Sequence, residues 1–282
     1  GVGLEITRTG RGRPIVFFHP HAGLEGAAPF LERLGASGEV IAPSHPGFGR
    51  SEAPRGFTTV DDLAYFYLDV LEELKLEDAL LVGVSFGAWI ALEMAIKDCS
   101  RIGALALIGA VGAKFGPRET SALVDLFSTP RAQVEALCYH EAANARVDLS
   151  AAPDAAIEAM ARNWESAARY AWTPYMHDPK LRGRLHRVRR PTLLLWGAED
   201  RIAPPDYGRQ FAAAIPGVDV AAWETASTGD AAANAVFAAS DQAATAGVNA
   251  TPTFVITGPG GTKTLVGAIP AAELLAAVKS VS

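Results

Sequence analysis

Short, uninterrupted apolar runs alternate with longer segments of helical period along the first part of this chain. The runs Ile15–Phe18, Val40–Ala42, Leu80–Val84, Ala104–Ile108 and Thr192–Trp196 are too short for helices and lack polar alternation. They predict strands buried on both faces of a sheet. Between the second and third runs, Val60–Leu76 places Leu63, Phe66, Tyr67, Val70, Leu71 and Leu74 on one face of an amphipathic helix. Another helix is expected from Phe86 to about Lys97. Strands separated by helices predict an α/β fold with a mostly parallel sheet. Between about 112 and 189 the alternation stops, and Ala-rich segments such as Ala155–Ala168 predict a helical insertion. The pattern changes again in residues 225–282, which contain no Arg, His, Trp, Tyr, Met or Cys. The expected organisation is therefore 1–111 and 190–224 as two parts of one core, 112–189 as the insertion and 225–282 as a distinct C-terminal segment.

Composition narrows the functional classes. With 282 residues, 49% of them hydrophobic, the chain can bury a large core. A net charge of −6 gives no broad basic surface, so nucleic acid and anionic membrane are excluded as main partners and a small-molecule substrate or ligand is expected. The two cysteines, Cys99 and Cys138, lack C-x-x-C or metal-ligand spacing, so no metal, disulfide framework or cofactor is implied. There is no leader-like start at Gly1 and no apolar run long enough to span a membrane, which makes a cytoplasmic setting the expectation. Composition leaves the oligomeric state open.

Chemistry is concentrated in "LLVGVSFGAW", where an apolar strand runs into Gly83-Val84-Ser85-Phe86-Gly87 and then a helix. This is G-x-S-x-G in the strand-turn-helix context of a nucleophile elbow, which would present the Ser85 hydroxyl at the end of the strand. The N–H of Phe86 would lie at a helix N-terminus, aimed where an oxyanion forms. An ordinary glycine-flanked turn is the bland alternative.

Two further segments, "IVFFHPHAG" and "IAPSHPGFGRSE", each end a strand in a turn, and "PTLLLWGAEDRIAPP" ends another in Asp200. With these motifs, residues from about 3 to 224 resemble an α/β-hydrolase. The resemblance implies that His19-Pro20-His21 is the oxyanion loop, with Pro20 replacing the usual glycine and the His21 N–H as the second donor. It also implies that Asp200 is the triad acid and that the insertion is a helical lid over the nucleophile. Asp200 could instead be a helix N-cap or pair with Arg201. Lid aromatics Phe127, Tyr139, Trp164, Tyr170, Trp172 and Tyr175 would line a substrate pocket or simply pack the lid.

A serine nucleophile needs an imidazole to take its proton and an acid to orient that imidazole. In the resembled family the histidine follows the strand that here reads Val218–Glu224. The sequence continues "TASTGDAAANAVF", and the last of the six histidines is His186. The triad is incomplete. His19 and His45 fit structural roles in their loops, and His140, His177 and His186 lie in the insertion or its exit. His21 is the candidate substitute base because its loop borders Ser85.

The C-terminal segment predicts a helix near 230–246, strands Thr253–Thr257 and Thr264–Gly267 and a helix from Pro270. It resembles the second half of a DsbA-type thioredoxin-like domain, which implies a cis Thr251–Pro252 bond facing redox cysteines. Those cysteines are absent, so the segment is expected to serve packing. The joined pieces read as a chimera with a seam near 224–232. The expected function is serine hydrolysis of an ester or related acyl substrate, impaired by the missing base. The alternative is a non-catalytic small-molecule binding protein or scaffold.

Overall fold

The computed structural model describes residues 1–117, 119–138, 152–218, 253–258, 261–266, 276 and 279–280. Its compact units are Gly1–Lys114 with Asp148–Arg190, and Phe115–Val147 with Pro191–Ser282. In chain order the elements begin β1 (Ile6–Thr9), β2 (Pro14–Phe18), α1 (Ala28–Gly35), β3 (Glu39–Pro43), α2 (Val60–Glu73), β4 (Ala79–Val84), α3 (Phe86–Lys97), β5 (Ile102–Ile108) and β6 (Gly112–Ala113). They continue α4 (Arg131–Cys138), α5 (Asp154–Ala171), β7 (His177–Asp178), α6 (Leu181–Arg184), β8 (Thr192–Leu195), α7 (Pro205–Ala214), β9 (Thr253–Gly258) and β10 (Gly261–Val266).

In the first unit the strands lie in the order β1-β3-β2-β4-β5. Pairing is parallel between β2 and β3, β2 and β4, and β4 and β5, and antiparallel between β1 and β3. Each predicted apolar run in this unit became one of the parallel strands. β1 escaped prediction because, as an edge strand, it needs only one covered side, and its sequence ITRT offers little apolar signal. α3 is buried on every side from Phe86 to Ile96, which is why it shows no amphipathic stripe. Inside the expected helical insertion, β6 and β7 form a short parallel pair. That correction had no sequence signal, because two residues cannot display a period.

α2 shows how local chemistry sets its ends. The Thr59 hydroxyl accepts from the Asp62 N–H at 3.2 Å, and the Asp62 carboxylate accepts from the Thr59 N–H at 2.8 Å, a reciprocal cap that begins the helix. The helix was expected to reach Leu76 but stops at Glu73. There the chain turns left-handed at Lys75 (φ 53°), and the Leu76 N–H reaches back to the Leu71 carbonyl at 2.9 Å. A lysine at that position carries none of glycine's stop signal.

A buried ion pair within α3 reaches α2 through the shared Lys97. Glu93, 1% exposed, accepts from Lys97 Nζ at 2.7 Å and from Trp89 Nε1 at 3.3 Å. Lys97 also meets Asp61 of α2 at 2.8 Å. Burial alone would lower the Lys97 pKa, but its hydrogen bonds to Asp61 and Glu93 outweigh this and hold the ammonium above its ordinary range.

In the second unit α7 packs Tyr207 and Phe211 against Trp196 and Phe115. β9 and β10 form an antiparallel hairpin in register from Gly261↔Gly258 to Val266↔Thr253, and β9 runs beside β8. Positions 276 and 279–280 are helical, in line with the helix expected from Pro270. The rest of that helix, residues 219–224 of the expected last core strand, the 230–246 helix, the seam, Thr251–Pro252, Tyr139 and His140 lie outside the described residues.

Removing one partner of a buried ion pair strands the other charge, whereas an exposed partner stays solvated. Lys97→Met is expected to cost about 3 kcal/mol of unfolding free energy. Asp61→Asn should cost less than about 1 kcal/mol, both by urea denaturation.

Candidate active site

β4 delivers the chain to Ser85, whose backbone has φ 50° and ψ −109°, a conformation that L-residues avoid. Three contacts hold it there. The Ser85 N–H donates to the Ile108 carbonyl at 2.8 Å, and the Ser85 carbonyl accepts from Ala88 at 3.0 Å and Trp89 at 3.2 Å. The flanking glycines are required by close approach. A Cβ on Gly83 would lie 2.5 Å from Ala88 Cα, and one on Gly87 would lie 2.1 Å from the Phe18 carbonyl oxygen and 2.7 Å from that of His19. The start of α3 is thus pressed against the end of β2, beside the His19–Gly23 loop.

Among the described residues, no group hydrogen-bonds the Ser85 hydroxyl. The backbone N–H groups of Phe86 and His21 likewise have no acceptor among the described residues. Unpaired N–H donors and an unpaired hydroxyl are groups that can meet a developing negative charge.

The histidines divide sharply. His19 and His45 are fully buried with rings 3.7 Å apart. His19 Nδ1 donates to the Pro20 carbonyl at 2.7 Å, and its Nε2 accepts from the His45 N–H at 2.9 Å. His45 Nε2 donates to the His19 carbonyl at 3.1 Å, and its Nδ1 accepts from the Tyr67 hydroxyl at 2.7 Å. All four ring nitrogens are occupied, so neither imidazole is free to take a proton. Burial pushes the His19 pKa down to about 4 and that of His45 well below the usual range. His177 Nδ1 donates to the Tyr175 carbonyl at 2.8 Å, and exposed His186 Nδ1 donates to the Gly183 carbonyl at 3.0 Å.

His21 differs. Its shielded Nδ1 has no hydrogen-bond partner, its ring meets Trp164 edge-on at 5.4 Å, and burial pushes its pKa down to about 4. Among the described residues, no carboxylate hydrogen-bonds its ring.

In the second unit, Asp200 follows β8 in a loop closed by Trp196 Nε1, which donates to the Ala203 carbonyl at 2.8 Å. Its Oδ1 accepts from the N–H groups of Ile202 at 2.9 Å and Ala203 at 2.8 Å. Its other oxygen has no partner among the described residues, and burial raises its pKa. The N-cap of α7 is Pro204, so Asp200 does not cap that helix, and it makes no ion pair with Arg201. A carboxylate pinned through one oxygen and open at the other is suited to orient an imidazole.

The expected pocket aromatics separate. Tyr170 lines a groove of about 310 Å³ with Trp89, Glu93, Pro174, His177 and Arg184, whereas Trp172 is 55% exposed. No group of His, Cys, Asp and Glu suited to hold a metal occurs among the described residues. The polar face of α5 went unrecognised in the sequence. Arg162 donates to the Gly47 carbonyl at 3.0 Å and the Ser51 carbonyl at 2.6 Å, Ser166 to the Gly47 carbonyl at 2.7 Å and Tyr170 to the Pro46 carbonyl at 3.0 Å. Asn163 and Ser166 inside a helix's buried face were the available signal.

A family model for the alpha/beta hydrolase family matches residues 15–253. The chain belongs to the alpha/beta hydrolase family. The match extends past the expected seam. Among curated relatives, the 2-hydroxymuconate semialdehyde hydrolase of Pseudomonas sp. strain CF600 is 35% identical over 120 residues, covering 41% of this chain and 42% of that protein. The match thus spans less than half of that relative's length. The AB hydrolase superfamily protein YisY of Bacillus subtilis is 25% identical over 225 residues, 74% of this chain and 82% of that protein. A meta-cleavage product hydrolase structure from Pseudomonas fluorescens has a TM-score of 0.63 at 19% identity, covering 76% of this chain and 83% of that one. The esterase of Exiguobacterium antarcticum has a TM-score of 0.60 at 22% identity, covering 77% and 85%. These structural likenesses establish the alpha/beta hydrolase fold. Among the described residues, no helix is long and apolar enough to cross a membrane.

The neutral buried histidines make the core acid-sensitive. Once unfolded, each imidazole takes up a proton below about pH 6.5, whereas in the folded state protonation waits until about pH 4 for His19 and His21. The unfolded chain binds more protons in that window, so stability is complete above it and is lost as pH falls through it. His19 alone should cost roughly 3 kcal/mol by pH 4, read from urea midpoints across the range.

Proposed function

We propose that this alpha/beta hydrolase is a serine hydrolase scaffold for an ester or related acyl substrate, with turnover impaired because the triad histidine is missing. The observation that carries the reading is the unpartnered Ser85 hydroxyl on a strained turn, accompanied by the unpaired N–H groups of Phe86 and His21. In this reading Ser85 Oγ attacks the acyl carbon and the two N–H groups receive the oxyanion. The C–O bond to the alcohol breaks as the carbonyl re-forms and the alcohol oxygen takes a proton from water, and a second water then cleaves the acyl–Ser85 ester to release the acid and restore the hydroxyl. The proton released from Ser85 passes to solvent. Asp200 is the acid retained for an imidazole that the chain does not supply. α5 belongs to the lid, and the β9–β10 hairpin is a packing element of a C-terminal segment joined to the hydrolase.

His21 is neutral at pH 7 and therefore able to accept a proton. With a pKa of about 4 and no carboxylate behind it, it is a weak base. The second reading is a small-molecule binding protein that performs no chemistry, favoured by the same missing base. Its mark would be thermal stabilisation by a ligand that survives Ser85→Ala, with no product formed.

Hydrolysis of p-nitrophenyl esters tests the proposal. The expected rate is about 10⁴- to 10⁶-fold below that of an intact triad and is lost in Ser85→Ala. Fast hydrolysis abolished by both Ser85→Ala and His21→Ala would instead make His21 a working base.

A further inference from the structure

Pro20 removes an N–H from the oxyanion loop and fixes one backbone angle, but it does not determine where the loop sits. The turn closes on itself through the Gly23 N–H, which donates to the Pro20 carbonyl at 3.1 Å. His45 holds the loop's first residue, His19, and the anchor beyond Pro20 is Asn163 on α5, 1% exposed and far away in sequence. Asn163 Nδ2 donates to the Ala22 carbonyl at 2.9 Å and to Glu25 Oε2 at 3.1 Å. Its Oδ1 accepts from the Gly49 N–H at 2.9 Å. Main-chain partners fix the amide orientation, since the carbonyl of Ala22 can only accept and the N–H of Gly49 can only donate.

The fit is tight. A Cβ on Gly23, where φ is 101°, would lie 2.3 Å from Asn163 Nδ2, so the close approach requires glycine. The next residue, Trp164, meets the His21 ring edge-on. Among the described residues, the hydrogen bonds of Arg162, Ser166 and Tyr170 to loops reach the Pro46–Ser51 loop, whereas those of Asn163 reach both that loop and the His19–Gly23 loop.

We propose that Asn163 is a positioning residue for catalysis, holding the His21 N–H where it meets the oxyanion formed at Ser85. This rests on the reading of Ser85 as nucleophile and of the Phe86 and His21 N–H groups as donors. An asparagine needed only for packing would, when replaced, lower the melting temperature and leave the reactivity of Ser85 in the folded protein unchanged. A positioning residue changes the limiting rate of the chemical step without changing ligand binding.

The test is phosphonylation of the full chain by an alkyl fluorophosphonate, with the adduct mapped by mass spectrometry. A Ser85 Oγ–P bond forms, the P–F bond breaks, fluoride leaves and the hydroxyl proton passes to water. Asn163→Asp keeps the side-chain shape but replaces both Nδ2 donors with an acceptor facing Ala22 and Glu25. The expected result is a limiting rate about 10- to 100-fold lower, with the half-saturating reagent concentration changed less than about twofold. Should Asn163→Asp not fold, Glu25→Ala, at an exposed loop position, removes one of the two Nδ2 acceptors and should slow labelling by about two- to fivefold. Labelling of the folded variant at the unaltered chain's limiting rate, or a change confined to half-saturation, overturns the role of Asn163 while leaving Ser85 as nucleophile. An unchanged rate in Glu25→Ala, where that variant decides, does the same. Failure of the unaltered chain to label at Ser85 overturns the nucleophile reading and this proposal with it.

Discussion

The left-handed backbone at Ser85 is the constraint on which the rest of the site depends. A residue with φ 50° persists only where its surroundings over-determine it. Here β5 takes its N–H, α3 takes its carbonyl, and two glycines let strand, helix and β2 approach to distances that a methyl group would forbid. The same tight approach leaves the Phe86 N–H without an acceptor. Backbone strain and the buried start of α3 are therefore one arrangement described from two sides.

Around that turn, the fold uses its imidazoles as structural groups. His19 and His45 join the end of β2 to the end of β3 through two hydrogen bonds, and bonds to the Pro20 carbonyl and the Tyr67 hydroxyl engage their two remaining ring nitrogens. These bonds require neutral rings in fixed tautomers, so the network that shapes the site cannot also turn over protons. Asp200 shows the complementary condition: an acid with one oxygen anchored and the other open. The proposed loss of activity rests on these two conditions, imidazoles committed to structural bonds and an acid with an oxygen left open.

Much of this was legible in the sequence because it rests on local pattern. The apolar runs marked the parallel strands, and Gly83-Val84-Ser85-Phe86-Gly87 marked the strained turn. Signals failed where structure rests on distant partners or on atypical residues. β1 is an edge strand with one apolar residue at its start, Lys75 closes α2 without being a glycine, and β6 and β7 are too short to show a period. The clamp of Arg162, Asn163, Ser166 and Tyr170 depends on carbonyls more than 100 residues earlier in the chain, which no local pattern reveals. The resemblance to an α/β-hydrolase was borne out by the family match. The lid role of the insertion and the thioredoxin-like origin of the C-terminal segment remain proposals.

Ser85 is proposed to react without a histidine base, and the pH dependence of Ser85-dependent ester hydrolysis decides whether it does. The expected rate rises about tenfold per pH unit from pH 6 to 9, as hydroxide becomes the proton acceptor, with no plateau. A rate that is level across pH 6 to 9, as a histidine base gives above its own pKa, would instead show an imidazole taking the proton.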